Sequence, residues 1–211
     1  AWRVTDDPVM GGASHSALRL TGQGITTSAC LVGLPSGSAS FEGTCAIVRF
    51  LQAPGFCKVS TGEGYGRAPE TFPDASPFLS GGLHLTVRSA TPAYRGFKAS
   101  FTARGMVRQP GQFHGVPSFK ADFAVPAPSD DGPGWVTVRV PFSSFSAGTS
   151  EYTGRCDTKD PTGLQHHCCG TAHPELCPKA AHLSAITGLA LWAEGVEGDF
   201  SLEVRAIAAG L

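Results

Sequence analysis

The chain has 211 residues, a net charge of −1, 41% hydrophobic residues and only 16% charged ones. It is long enough to bury a core without metal or staples, and its charge gives no reason to expect nucleic acid or an anionic membrane surface as a partner. Its 27 glycines and 16 prolines follow no period, which excludes a collagen-like chain and points to many short strands joined by turns. No apolar run reaches the ~18 residues that span a bilayer, so no direct membrane span is expected.

From the N-terminus, Trp2-Arg3-Val4 reads as a short strand. Asp6, Asp7, Pro8, Met10, Gly11 and Gly12 follow as a dense turn. Such clustering is costly unless one conformation is needed. Asp6 and Asp7 are expected to bind local backbone amides, with partner contact as a second role for the segment. The chain opens at Ala1 without a methionine and without the charged and apolar regions of a targeting peptide, read as a removed targeting segment or a trimmed sequence. Residues 46–51 read as a strand, joined through Ala53-Pro54-Gly55 to a second one. Alternation with period two marks 83–88 and 135–140 as half-buried strands. The runs 97–101 and 119–123 carry phenylalanines at matching ends, and 186–192 and 200–207 complete the set. Helical signals are weak, with one turn expected within 178–184. The pattern predicts one all-β domain over 1–211, a sandwich or barrel, with an irregular Cys/His-rich insertion at about 148–182.

Seven cysteines are present: Cys30, Cys45, Cys57, Cys156, Cys168, Cys169 and Cys177. The odd number leaves at least one unpaired within the chain. Four fall in the insertion, where disulfides in an oxidising compartment are favoured. Cys168 and Cys169 are adjacent and poorly placed to bond each other, so each is expected to reach Cys156, Cys177 or a distant partner. A bridge between Cys45 and Cys57 across the 46–56 hairpin is a further expectation; the competing readings pair Cys30 with one of them or leave a buried thiol. His166, His167 and His173 beside these cysteines offer zinc-type ligands, but their spacing lacks two separated pairs, and no metal is expected.

Other chemistry is weakly supported. The acid groups Asp130-Asp131 and Glu194, Glu197, Asp199 lie in stretches that are turns by composition, and they read as solvated loops rather than acid–base dyads. There is no Gly-x-Ser-x-Gly elbow. Gly62-Glu63-Gly64-Tyr65-Gly66 lacks the lysine and helix of a phosphate loop. No catalytic residue and no cofactor is assigned. Trp2, Trp135 and Trp192 could stack on sugar rings if exposed, although a strand aromatic is more often core.

Several segments taken together resemble one family. Trp2 with residues 6–12 and Ser14, then Phe41-Glu42-Gly43, Gly82-Leu83 to Arg88 with Ala93-Tyr94-Arg95, the 134–145 stretch ending Pro141-Phe142-Ser143-Ser144-Phe145, Ile186-Thr187-Gly188-Leu189 and 198–204 are similar, in order, to the signatures of the complex I intermediate-associated protein 30 family. The resemblance implies a galactose-binding-like jelly roll of two antiparallel sheets. It also implies a non-catalytic assembly factor or accessory subunit of a large membrane redox complex, photosynthetic or respiratory. Protein subunits of that complex are then the expected partners. Asp6, Asp7, Met10, Gly11, Gly12, His166, His167 and His173 are the expected contact residues. The Cys/His-rich insertion departs from the family pattern and favours an oxidising organellar space, the thylakoid lumen ahead of the mitochondrion or secretion. A carbohydrate-binding module on the same fold is the alternative.

Overall fold

The computed structural model describes residues 2–21, 30–33, 37–51, 53–61, 71–127 and 134–211. The glycine-rich stretch 62–66 and Asp130-Asp131 lie outside the described residues, as do the side chains of Met10 and Cys30. Among the described residues the strands are β1 Trp2–Asp6, β2 His15–Thr21, β3 Cys30–Gly33, β4 Ser38–Cys45, β5 Phe56–Thr61, β6 Gly82–Arg88, β7 Phe97–Ala103, β8 Phe119–Asp122, β9 Val136–Pro141, β10 Ile186–Glu194 and β11 Gly198–Gly210. A single helical turn, α1, spans Ala180–Leu183.

Two antiparallel sheets result. One has the order β1-β5-β10-β7-β8; the other has β2-β4-β11-β6-β9, with β3 also paired to β11. This is the all-β jelly-roll sandwich that the family resemblance implies. The alternating strands drive it: Leu83, Leu85 and Val87 of β6 and Leu202 and Val204 of β11 point inward against Val59, Phe101 and Leu191 of the facing sheet. Aromatic residues fill the interior, with ring centroids 4.8 Å apart for Phe41–Phe200 and 5.1 Å for Phe101–Phe119, separations at which such pairs add to their burial energy. Phe142 and Phe145, the end of the Pro-Phe-x-x-Phe stretch, are buried beside Phe101.

Two expectations need correction. Residues 46–51 form no strand: 46–48 are irregular and Arg49–Leu51 is a 3-10 turn. The β-branched pair Ile47-Val48 suggested a strand, but Ala46 is tied to Ser14 (its N–H donates to Ser14 Oγ, 2.9 Å) and the chain turns away from the sheet there. Cys45 and Cys57 are free thiols. They end and begin strands in opposite sheets rather than facing each other across one hairpin. Each thiol donates to a backbone carbonyl, Cys45 to Gly55 at 3.1 Å and Cys57 to Thr44 at 3.7 Å. Burial raises the pKa of both above the ordinary thiol value, which favours the protonated, less nucleophilic form.

β7 departs from half-buried alternation in a way that matters for the site. All seven of its residues are buried. Its inner positions Phe97, Phe101 and Ala103 face the core, while its outer positions Lys98, Ser100 and Thr102 are covered by neighbouring side chains and loops. Among the described residues, no helix is long and apolar enough to cross a membrane.

Candidate functional site

The outer face of the five-stranded sheet carries a groove of about 440 Å³. One row of paired residues crosses all five strands: Thr5, Lys58, Trp192, Lys98 and Asp122. The period of two puts them all on the outer face. Trp192 lies at the centre of this row and is half-buried. Its indole N–H donates to Ser100 Oγ at 2.8 Å, which pins the ring across β7. Phe56 meets the ring edge-on at 5.7 Å. Lys120 Nζ lies 4.0 Å and Lys58 Nζ 4.7 Å from the ring centroid, both within cation–π range. Lys120 also donates to both carboxylate oxygens of Glu194, at 3.0 and 2.9 Å, with side chains only 10% and 6% exposed. Glu194, read from composition as part of a solvated turn, is therefore half of a buried ion pair. A second lysine of this face, Lys98, is paired with Asp122.

One wall of the groove is the loop between β7 and β8, residues 112–118, backed by 149–151 of the insertion. The two are tied together. Gln112 Nε2 donates to the carbonyls of Ala147 (2.9 Å) and Thr149 (3.2 Å). The Glu151 carboxylate accepts the backbone N–H groups of Phe113 (2.9 Å) and His114 (3.0 Å). Arg108 holds the far side of the loop through the carbonyls of His114 and Gly115. The opposite wall is the segment 53–56 with Val48 and Val9.

The insertion is braced in its own right. Disulfides join Cys156 to Cys168 and Cys169 to Cys177, with Cα–Cα separations of 4.9 and 4.7 Å. The adjacent cysteines thus diverge to different partners, as expected, and all four insertion cysteines are used in bridges rather than as metal ligands. His166 is buried, its Nε2 3.0 Å from Asp160 Oδ2. Asp160 also accepts from the Thr162 hydroxyl (2.6 Å), the Thr162 N–H (2.8 Å) and the Leu164 N–H (3.1 Å). The Thr162 hydroxyl first, then His166 and these amides, bring its pKa down to about 2. His167 and His173 stack at 4.0 Å on the surface of the insertion.

The signature turn at the other end of the chain is built around Asp7. Asp7 is buried; its Oδ1 accepts from Ser14 N–H (2.7 Å) and its Oδ2 from Ser14 Oγ–H (2.6 Å) and Phe56 N–H (3.0 Å). Asp6 accepts from Ser16 N–H and hydroxyl at 2.8 and 2.7 Å. Gly11 adopts a left-handed conformation, φ 86°, to end the 3-10 turn Asp7–Met10, and a Cβ on Gly12 would run into the Asp7 carboxyl. The acids and glycines therefore set the turn, and Val9, 74% exposed, is what it shows to solvent. Val116 (54%) is exposed on the opposite wall, and Phe113 (68%) is exposed on the same loop.

The sequence reading named neither Lys58, Ser100, Gln112, Lys120 nor Glu151. The alternation over 119–123, which sets Lys120 and Asp122 on one face, was the one signal available. Trp2 packs on the core edge, and Trp135 is flanked by Arg88 (4.9 Å) and Arg205 (4.2 Å) on the other sheet. Of the three tryptophans, Trp192 alone lies in the groove.

Comparison with known proteins bears on both fold and family. The family model described as Complex I intermediate-associated protein 30 (CIA30) matches residues 1–162. The match ends within the insertion, before β10 and β11. No curated protein sequence matches the chain. Among solved structures, the chain is similar to the family 11 carbohydrate-binding module of the cellulosomal cellulase Lic26A-Cel5E of Clostridium thermocellum, with 14% identity, 100% of this chain and 88% of that chain covered, and a TM-score of 0.50. A family 11 module from the same organism, in complex with a beta-1,3-1,4-mixed-linked tetrasaccharide, aligns at 15% identity over 99% of this chain and 95% of that chain, TM-score 0.43. At such identities the likeness speaks to fold alone.

Proposed function

The chain belongs to the Complex I intermediate-associated protein 30 family, and from that premise we propose that it is a non-catalytic protein-binding module, an assembly factor or accessory subunit of a large membrane redox complex. The observation that carries this reading is the set of exposed apolar side chains at the groove, Val9 on one wall and Val116 on the other, with Phe113 exposed on the same loop as Val116. Single exposed apolar residues are ordinary, but several grouped around one concavity mark a contact surface. They sit on loops that hydrogen bonds hold in place, so little ordering entropy is lost on docking. The stacked pair of exposed His167 and half-buried His173 extends the same insertion toward a partner, whereas Asp7 and His166 are spent on internal bonds and act by positioning the loops.

The two disulfides suit an oxidising organellar space. Among such spaces the thylakoid lumen is our favoured location, with a photosynthetic complex as host and a respiratory complex as the other choice. The test is affinity purification of the native chain and of a Phe113→Ser/Val116→Ser variant. Subunits of one membrane redox complex should accompany the first and be depleted from the second. Equal recovery with both would contradict the assignment of the contact surface.

A further inference from the structure

We propose that the groove over Trp192 is a binding site for a short neutral oligosaccharide, a ligand site separate in kind from protein docking through the exposed loops. Three features of the groove select this chemistry.

The first is the floor. It is made by β5, β10 and β7, each of which is hydrogen-bonded to a strand on both sides. No free backbone ladder is offered, so an extended peptide cannot add to the sheet there. Among a mostly apolar lining, the polar groups of floor and walls include the hydroxyl residues Thr5, Ser100, Thr102, Ser118 and Thr149. A hydroxyl both donates and accepts, which is the pattern that sugar hydroxyls need in return.

The second is charge. Three charged groups of the groove are engaged from within: Lys120 by Glu194, Glu151 by the Phe113 and His114 amides, Asp7 by Ser14 and Phe56. A strongly charged ligand would have to break one of these arrangements in a partly desolvated site. A neutral ligand leaves them intact.

The third is Trp192 itself. Its N–H is already satisfied by Ser100, so the ring needs no polar partner from a ligand and is fixed in place. With Phe56 and Pro54 it forms part of a largely apolar lining into which a few hydroxyls and charged groups project. A pyranose, with hydroxyls around its rim and C–H groups on its face, matches that combination. The volume of about 440 Å³ is in the range of small-ligand sites, and the walls are braced before anything binds.

The experiment is calorimetric titration of the whole chain with hexasaccharides of β-1,3-glucan, β-1,4-glucan, galactan and mannan, and with a polyuronate hexasaccharide as the charged control. In parallel, the indole N–H resonance of Trp192 is followed in the unaltered protein. Saturable binding of at least one neutral sugar, with displacement of the Trp192 resonance, is expected. Trp192→Ala should weaken it at least tenfold, while Trp135→Ala should not change it. Absence of saturable binding to every neutral sugar, binding that leaves the Trp192 resonance unmoved, or a preference for the polyuronate would each overturn the proposal. The resonance test needs no variant, so misfolding of Trp192→Ala cannot obscure the result. Loss of sugar binding also leaves subunit co-purification untouched, so the two readings fail separately.

Discussion

Lys120 and Glu194, separated by 74 residues in the chain, form a two-pronged ion pair on the outer face of the five-stranded sheet. Removing one partner leaves the other charge buried, which costs roughly 3–5 kcal/mol where burial is complete and somewhat less at a groove wall. Glu194→Gln and Lys120→Met should each lower stability in denaturant titration by about 2–3 kcal/mol. The double variant should recover much of the loss. A double-mutant cycle showing simple additivity would mean that the pair does not act as a unit.

The turn that opens the chain gives a second test. Asp7→Ala removes the acceptor for Ser14 N–H, Ser14 hydroxyl and Phe56 N–H together. Unsatisfied buried donors cost roughly 1–3 kcal/mol each, partly recovered where water enters. A loss of about 2–4 kcal/mol is expected, with Asp7→Asn losing less because one oxygen still accepts. A variant as stable as the parent would remove Asp7 from its structural role and restore the reading of it as a contact residue.

The disulfides close sequence separations of 12 and 8 residues, and loops this short are worth about 3 kcal/mol each on chain entropy. Neither bridge joins one strand of the sandwich to another. Reduction should therefore free the insertion and leave the sheets intact. Limited proteolysis after reduction should cut within 148–177 while the far-ultraviolet circular dichroism stays unchanged. Collapse of the β signal on reduction would show that the insertion props up the sandwich.

His182 supplies a pH dependence. Its ring packs on Phe119 with centroids 4.9 Å apart, and its Nδ1 accepts the Lys179 N–H at 3.1 Å, which requires an unprotonated nitrogen. Burial first, then the Lys179 charge, holds its pKa below the ordinary histidine value. The unfolded chain therefore takes up the proton more readily. The stability contributed by neutral His182 is full above about pH 6.5 and is lost as pH falls through the lowered folded value. His182→Gln should flatten the stability profile between about pH 7 and pH 5. An unchanged slope would place the titrating group elsewhere.

How legible the molecule was in its sequence follows from what each element is made of. β6 and β9 alternate apolar and polar residues cleanly and were readable as strands. β2 and β4 were not, because their apolar residues Leu18, Ala39 and Phe41 stand among serines, threonines and charges, and Leu20 is exposed, a weak pattern outside the sandwich that completes it. The disulfide pairing could not be chosen from spacing: of the three pairings of four cysteines, setting aside the one that joins adjacent Cys168 and Cys169 still leaves two. The groove was hidden for a different reason. Its parts come from Thr5, Lys58, Ser100, Lys120 and Trp192, and only the strand order sets them side by side. Glu194 looked like a turn residue because its neighbours Gly195, Glu197 and Gly198 are polar or flexible, while its own side chain folds back over the sheet to Lys120.

The central claim, that braced exposed loops dock this chain onto a membrane redox complex, is tested most directly by cross-linking mass spectrometry of the native assembly. Lys159 and Lys179 are exposed within the insertion. The account predicts cross-links from these two lysines to subunits of a single redox complex. A chain that purifies alone, or cross-links that arise only from the opposite sheet around Arg19 and Arg139, would contradict it.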